Sequence, residues 1–153
     1  MNAYQVNTNF RILKKAMSEI GVKELSGPEL NSPEIMKYFE KMGELWVKTD
    51  ETAWCSAYVN WVCMELGLEF SGRLDAKSWL NVGVFVKPIE AEPGDIVILW
   101  REHPDSWKGH VGIFTRYRKL DVGMIGGNQD NQVKDKDYES ERIVGVRRMR
   151  PAA

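Results

Sequence analysis

Cys55, His110 and Asn128 are the residues of this chain whose types and spacing can carry nucleophilic chemistry. Cys55 sits in Trp54-Cys55-Ser56-Ala57-Tyr58, where a polar stretch gives way to an amphipathic helix. His110 lies in Gly109-His110-Val111-Gly112, and Asn128 follows Gly126-Gly127. A thiolate attacks, an imidazole moves protons, and an amide carbonyl holds the imidazole in one tautomer. The start of a helix offers unpaired N–H groups and a positive dipole end, and a nearby imidazolium adds a full charge. Both effects are expected to lower the Cys55 pKa below the usual value of about 8.5. Gln129 and Asp130 are the fallback candidates for the orienting role.

The remaining polar and aromatic candidates divide by context. Cys63 lies in the body of the same helix and reads as packing. About 12 Å along the helix axis separates it from Cys55, too far for a disulfide. His103, in Arg101-Glu102-His103-Pro104-Asp105, reads as a solvated turn. Asp95, in Pro93-Gly94-Asp95-Ile96-Val97, is expected at a turn or strand start. The chain holds six tryptophans. Trp107 precedes Gly109-His110 on a loop and is placed to stack on a sugar or peptide. Trp107, Trp54 and Gly109 are the candidate substrate-binding residues, with Trp54 also fitting a buried helix face. The backbone N–H of Cys55 is the first oxyanion-hole donor.

The elements that must position these groups follow from periodicity. Asn9 to Ile20 carries a helical stripe stopped by Gly21. Gly27-Pro28 breaks the chain, and Ser32-Pro33-Glu34 opens a second helix with Ser32 as its cap. A connection holding Trp46 leads to a third helix from about Thr52 to Leu66, ended by Gly67. A short helix is expected near Ala76–Leu80. After Pro93 the pattern changes to strands at 96–100, 110–115, 122–126 and 143–147. Helices first and strands after predict an α+β domain with helices on one side of a small antiparallel sheet. The 153 residues suit one domain, a helical leader over about 9–45 and a core over about 50–150.

Bulk composition narrows the partners. A net charge of −1 gives no general attraction to nucleic acid. Arg142, Arg147, Arg148 and Arg150 read as a solvated strand face. No zinc-ligand spacing and no cofactor motif is present, so neither metal nor cofactor is expected. No signal peptide or membrane-spanning segment is visible.

The motifs around Cys55, Pro93-Gly94-Asp95, Gly109-His110-Val111-Gly112 and Gly127-Asn128 together resemble the CHAP group of cysteine- and histidine-dependent amidohydrolases and peptidases. That group is allied to the NlpC-type, papain-like peptidoglycan hydrolases. The leader residues Gly21-Val22-Lys23-Glu24, Gly27-Pro28, Asn31, Pro33 and Ile35 look like those of a bacterial and phage subgroup. The resemblance runs from about Phe10 to Arg148. It implies a papain-like fold, hydrolysis of an amide in cell-wall peptides, Cys55 as nucleophile, His110 as base and Asn128 as third member. Many CHAP enzymes have a glutamate two residues before that asparagine, where this chain has Gly126. No wall-binding repeat is visible. A protein made in the cytoplasm without a signal peptide, acting on the wall as a holin-released lysin or as an injected effector with an immunity partner, fits this reading. The alternatives are a papain-like protease or acyltransferase acting on protein, and a binding module on the same fold.

Overall fold

The structure is a computed structural model that describes residues 2–25, 31–44 and 53–153. Gly27-Pro28, Trp46 and the expected helix start at Thr52 lie outside the described residues.

Three α-helices come first: α1 (Ala3–Met17), α2 (Pro33–Lys41) and α3 (Cys55–Glu65). Asn2 caps α1 by accepting from the Gln5 N–H, so the helix starts earlier than its apolar stripe suggests. Ser32 caps α2 with Pro33 in the first turn, as the sequence predicts. No side chain caps α3, which leaves its first N–H groups open to another acceptor. From Cys55 to Cys63 every α3 residue is buried. The helix packs against β3 and β4 and against α2 and α1, and α1 also touches the sheet. Tyr38 of α2 packs against Tyr58 and Trp61 with ring centroids 5.4 and 5.2 Å apart.

The described strands are β1 (Val84–Val86), β2 (Ile96–Trp100), β3 (Gly109–Arg118), β4 (Asp121–Gln129), β5 (Gln132–Glu139) and β6 (Ile143–Arg148). They form one antiparallel sheet in the order β1-β6-β2-β3-β4-β5. A 3-10 turn at Ala76–Asn81 occupies the site of the expected short helix. Val111, Ile113 and Ile125 face the helices in the main core, whereas Val97, Leu99, Phe114, Val122 and Met124 form a smaller apolar cluster.

β1 and β5 were not expected from sequence. β1 has three residues, two of them exposed, and pairs only with β6. β5 is an outer strand in which five of eight residues are charged, a composition that blunts a sheet edge against further pairing.

Of the C-terminal arginines only Arg150 is exposed; Arg142, Arg147 and Arg148 are half-buried rather than a solvated face. The Arg147 Nε and Nη2 donate to the carbonyls of Val82 and Gly83 at 2.7 and 2.8 Å. Arg148 clasps the Asp95 carboxylate with two 2.8 Å bonds, and Arg150 pairs with Glu69 at 2.7 Å. Arg142 donates twice to the Trp100 carbonyl. Each guanidinium reaches a fixed acceptor on a neighbouring segment, which periodicity within one strand does not reveal.

Candidate active site

Cys55 is the first residue of α3 and is only 5% exposed. The backbone N–H groups of Val111, Ser56 and Cys55 itself lie near its sulfur and favour the thiolate. Two of these are open donors of the uncapped helix start, and the third belongs to β3 beside His110. The thiol therefore sits where α3 meets the strand that carries the histidine.

The neighbours of Cys55 hold its surroundings in place. Ser56 Oγ donates to the Arg73 carbonyl at 2.6 Å and accepts from Trp79 Nε1 at 2.9 Å. Asn60 accepts from the Gly72 N–H at 2.9 Å and donates to the Arg73 carbonyl at 3.2 Å. These buried side chains tie the 71–79 segment to the helix, and Leu74, Asp75 and Ala76 of that segment wall the cavity beside Cys55. Their roles are absent from the motif reading, because the signal is a pairing across sequence rather than a spacing.

His110 is likewise 5% exposed. Its Nε2 lies 2.9 Å from Gln129 Oε1 and 3.4 Å from Tyr138 Oη. The Gln129 amide nitrogen donates to the carbonyls of Lys134 and Met124, at 2.7 and 3.4 Å. Those two bonds leave Oε1 as the atom that meets the ring. Nε2 must then carry the proton, and Nδ1 keeps the free lone pair of a general base.

Asn128 does not hold the imidazole; Gln129 does. The reason is a bulge in β4. Gly126 pairs with Lys134, but Gln129 pairs with Gln132, so β4 carries one extra residue over this stretch. Asn128 takes a left-handed φ of 58° within it. The extra residue moves Gln129 into the register position that Asn128 would hold in a regular strand. Gly126 makes room for this, since a Cβ there would lie 2.6 Å from Gln129 Oε1. The glutamine amide fills the space that a side chain at 126 would need.

Burial overrides the expected acidity. The N–H groups at Cys55 pull its pKa down and Arg101 adds to this, but desolvation is larger and raises it above the ordinary thiol value. Desolvation also pushes His110 down to about 4; the Gln129 bond opposes this, while Arg101, Arg142 and Lys136 add to it. Both shifts favour the neutral thiol and the neutral imidazole. Among the described residues no direct hydrogen bond joins the sulfur to the ring, a separation common before substrate binds.

Two cavities flank this centre. One, of about 270 Å³, is lined by Cys55, Gly109 and Trp107. The other, of about 420 Å³, is lined by His110, Asn128, Gln129 and Tyr138. Arg101 borders both. Trp107 is 72% exposed at the rim of the first. Lys77 Nζ donates to the carbonyls of Pro104 and Ser106 and so anchors the loop that bears Trp107. Gly109 is confined by close approach, for a Cβ would lie 2.9 Å from the Leu99 carbonyl oxygen. Trp54 is fully buried, with its Nε1 donating to Glu24 at 2.8 Å, and presents no surface to a substrate. The sequence-based candidacy of Trp54 as a contact residue is corrected accordingly. His103 is exposed in a turn, Cys63 is fully buried with its pKa raised to about 12, and Asp95 serves the Arg148 pair away from the centre. No cluster of three potential metal-ligating side chains occurs among the described residues.

Comparison with known proteins gives the family and the fold. The CHAP domain family model matches residues 47–128, more than half of the chain, and the protein belongs to that family. Its fold is that of the NlpC/P60 papain-like domains. NlpC1 from Trichomonas vaginalis superposes with a TM-score of 0.56 at 16% identity, covering 92% of this chain and 43% of that one. The P60 domain of an antigen from Mycobacterium avium subspecies paratuberculosis gives 0.59 at 14% identity, covering 95% and 97%. The peptidoglycan hydrolase RipB from Mycobacterium tuberculosis gives 0.58 at 18% identity, covering 97% and 67%. This chain thus spans less than half of the Trichomonas protein, and 39% of an NlpC/P60 family protein from Bacillus cereus. No curated protein sequence matches it.

Proposed function

We propose that this protein hydrolyses an amide bond in peptidoglycan peptides by acyl transfer through Cys55. The observation that carries the reading is Cys55 at the uncapped start of α3, packed against the strand of a histidine whose tautomer is set by Gln129. The CHAP family match and the likeness to RipB, a peptidoglycan hydrolase, support the substrate class.

In this scheme a peptide lies along the two cavities. His110 Nδ1 takes the thiol proton as sulfur attacks the carbonyl carbon. Proton transfer and attack are coupled in this scheme, since burial favours the neutral form of both groups. The Cys55 N–H donates to the developing oxyanion. The imidazolium protonates the leaving amine, and the neutral ring then activates water to cleave the thioester. Gln129 holds the ring throughout, and Trp107 contacts the substrate at the rim.

Mass spectrometry of purified peptidoglycan after digestion tests this. Wild type and Cys63→Ala are expected to release the same new fragments, and Cys55→Ala none. Intact walls after wild-type treatment across several wall chemotypes, with the protein folded, would remove the substrate assignment.

A further inference from the structure

The larger cavity has a charge that the hydrolytic chemistry does not use. Arg101, Lys136 and Arg142 line it, against one carboxylate, Asp130. Asp130 is already engaged by two lysines, Lys134 at 2.7 Å and Lys136 at 3.0 Å. Neither Arg101 nor Arg142 forms an ion pair among the described residues, so the charge of both stays open to a ligand in the cavity they line. Glu102, next to Arg101, is held by Lys108, and Asp75 of the neighbouring cavity by Arg73.

Arg142 is also held in position. Its Nε and Nη2 bond the Trp100 carbonyl at 3.2 and 3.1 Å, and the guanidinium lies 5.7 and 5.5 Å from the Trp100 and Tyr138 ring centroids. Such a fixed guanidinium loses little freedom when it binds an anion. Arg101 is exposed and borders both cavities.

We propose that the cavity beside His110 is a carboxylate subsite: it takes a free carboxylate of the peptide substrate, held by Arg101 and Arg142, close to the scissile amide. The proposal rests on the amide-hydrolase reading and narrows its substrate to acidic peptides. Charge-assisted bonds to guanidinium distinguish a carboxylate from the isosteric carboxamide, which carries no charge. The same cations hold His110 down, so an anion bound there also strengthens the base that acts on Cys55.

The test uses synthetic peptidoglycan stem peptides with a free α-carboxylate on the glutamyl residue, and the same peptides with that group as carboxamide. Wild type is expected to favour the acid form by ~10- to 100-fold in kcat/KM. Arg101→Gln, an exposed position with no bonded partner to lose, is expected to bring that ratio near one. Equal rates on the two forms with wild type, or a preference that survives both Arg101→Gln and Arg142→Gln, would overturn the subsite. If neither form is cleaved, the hydrolase reading fails separately, and calorimetry with wild type decides the subsite. Tighter binding of the acid form then supports it, and equal or absent binding of both forms overturns it.

Discussion

Gln129 takes up the task that the motif assigns to Asn128, and chemistry explains why an amide serves there. A neutral carbonyl fixes the tautomer of His110 without stabilising its cation as a carboxylate would. In this buried site the neutral ring is the working form. Gln129→Ala removes the acceptor for the Nε2 proton and frees the ring, so kcat/KM is expected to fall by ~100-fold. Gln129→Glu keeps an acceptor and adds a charge that raises the His110 pKa, so the acid limb of the rate profile is expected to move to higher pH. Asn128→Gly preserves the left-handed backbone and is expected to retain activity. Steady-state kinetics over pH 3.5–8, an interval chosen to span the shifted and ordinary imidazole values of ~4 and ~6.5, separates the three variants. If Asn128→Gly loses as much as Gln129→Ala, Asn128 is the orienting residue after all.

The elements converge on a few close approaches. A Cβ on Gly127 would lie 2.6 Å from the Trp54 ring, so this glycine lets α3 settle on β4 and present Cys55. Pro93-Gly94-Asp95 is a joint of the same kind. A Cβ on Gly94 would lie 2.5 Å from the Asn9 carbonyl oxygen of α1. The Asp95 carboxylate, fully buried, accepts from Asn9, the Glu92 N–H and both arms of Arg148, and so joins α1, β2 and β6. Asp95→Ala strands the Arg148 charge and is expected to cost about 3–5 kcal/mol, read as a lower denaturation midpoint. A loss of activity without a stability change would instead give Asp95 a part in the chemistry. Periodicity made α2, α3 and the apolar strands legible, and a cysteine near an expected helix start, followed by Gly-His-Val-Gly, marked the candidate nucleophile. β5 was illegible because Lys134, Asp135, Lys136 and Asp137 read as loop, yet it brings Lys136 and Tyr138 to the site. The β4 bulge was illegible because Asn128 and Gln129 are both amides, and only pairing with β5 shows which one turns inward.

At the scale of the whole molecule, the site draws on folding stability. The chain has two histidines, of which His103 is exposed and His110 buried. Its net charge is −1, yet three cations gather beside the buried ring. In the native state His110 titrates near 4, against about 6.5 for an unfolded chain. Between those values the unfolded state binds a proton that the native state refuses, so stability rises with pH across that window. The contribution is complete above about pH 6.5 and disappears as pH falls toward 4, a loss of about 3 kcal/mol. Denaturant unfolding at intervals from pH 7 to 4 is expected to show this slope. His110→Gln, which cannot take up the proton, is expected to flatten it, leaving only the carboxylates that titrate at the acid end. An unchanged slope in His110→Gln would mean that the ring is solvated in the native state and titrates as it does in the unfolded chain. The neutral resting pair at Cys55 and His110 would then give way to one in which the imidazole charges near its ordinary pH.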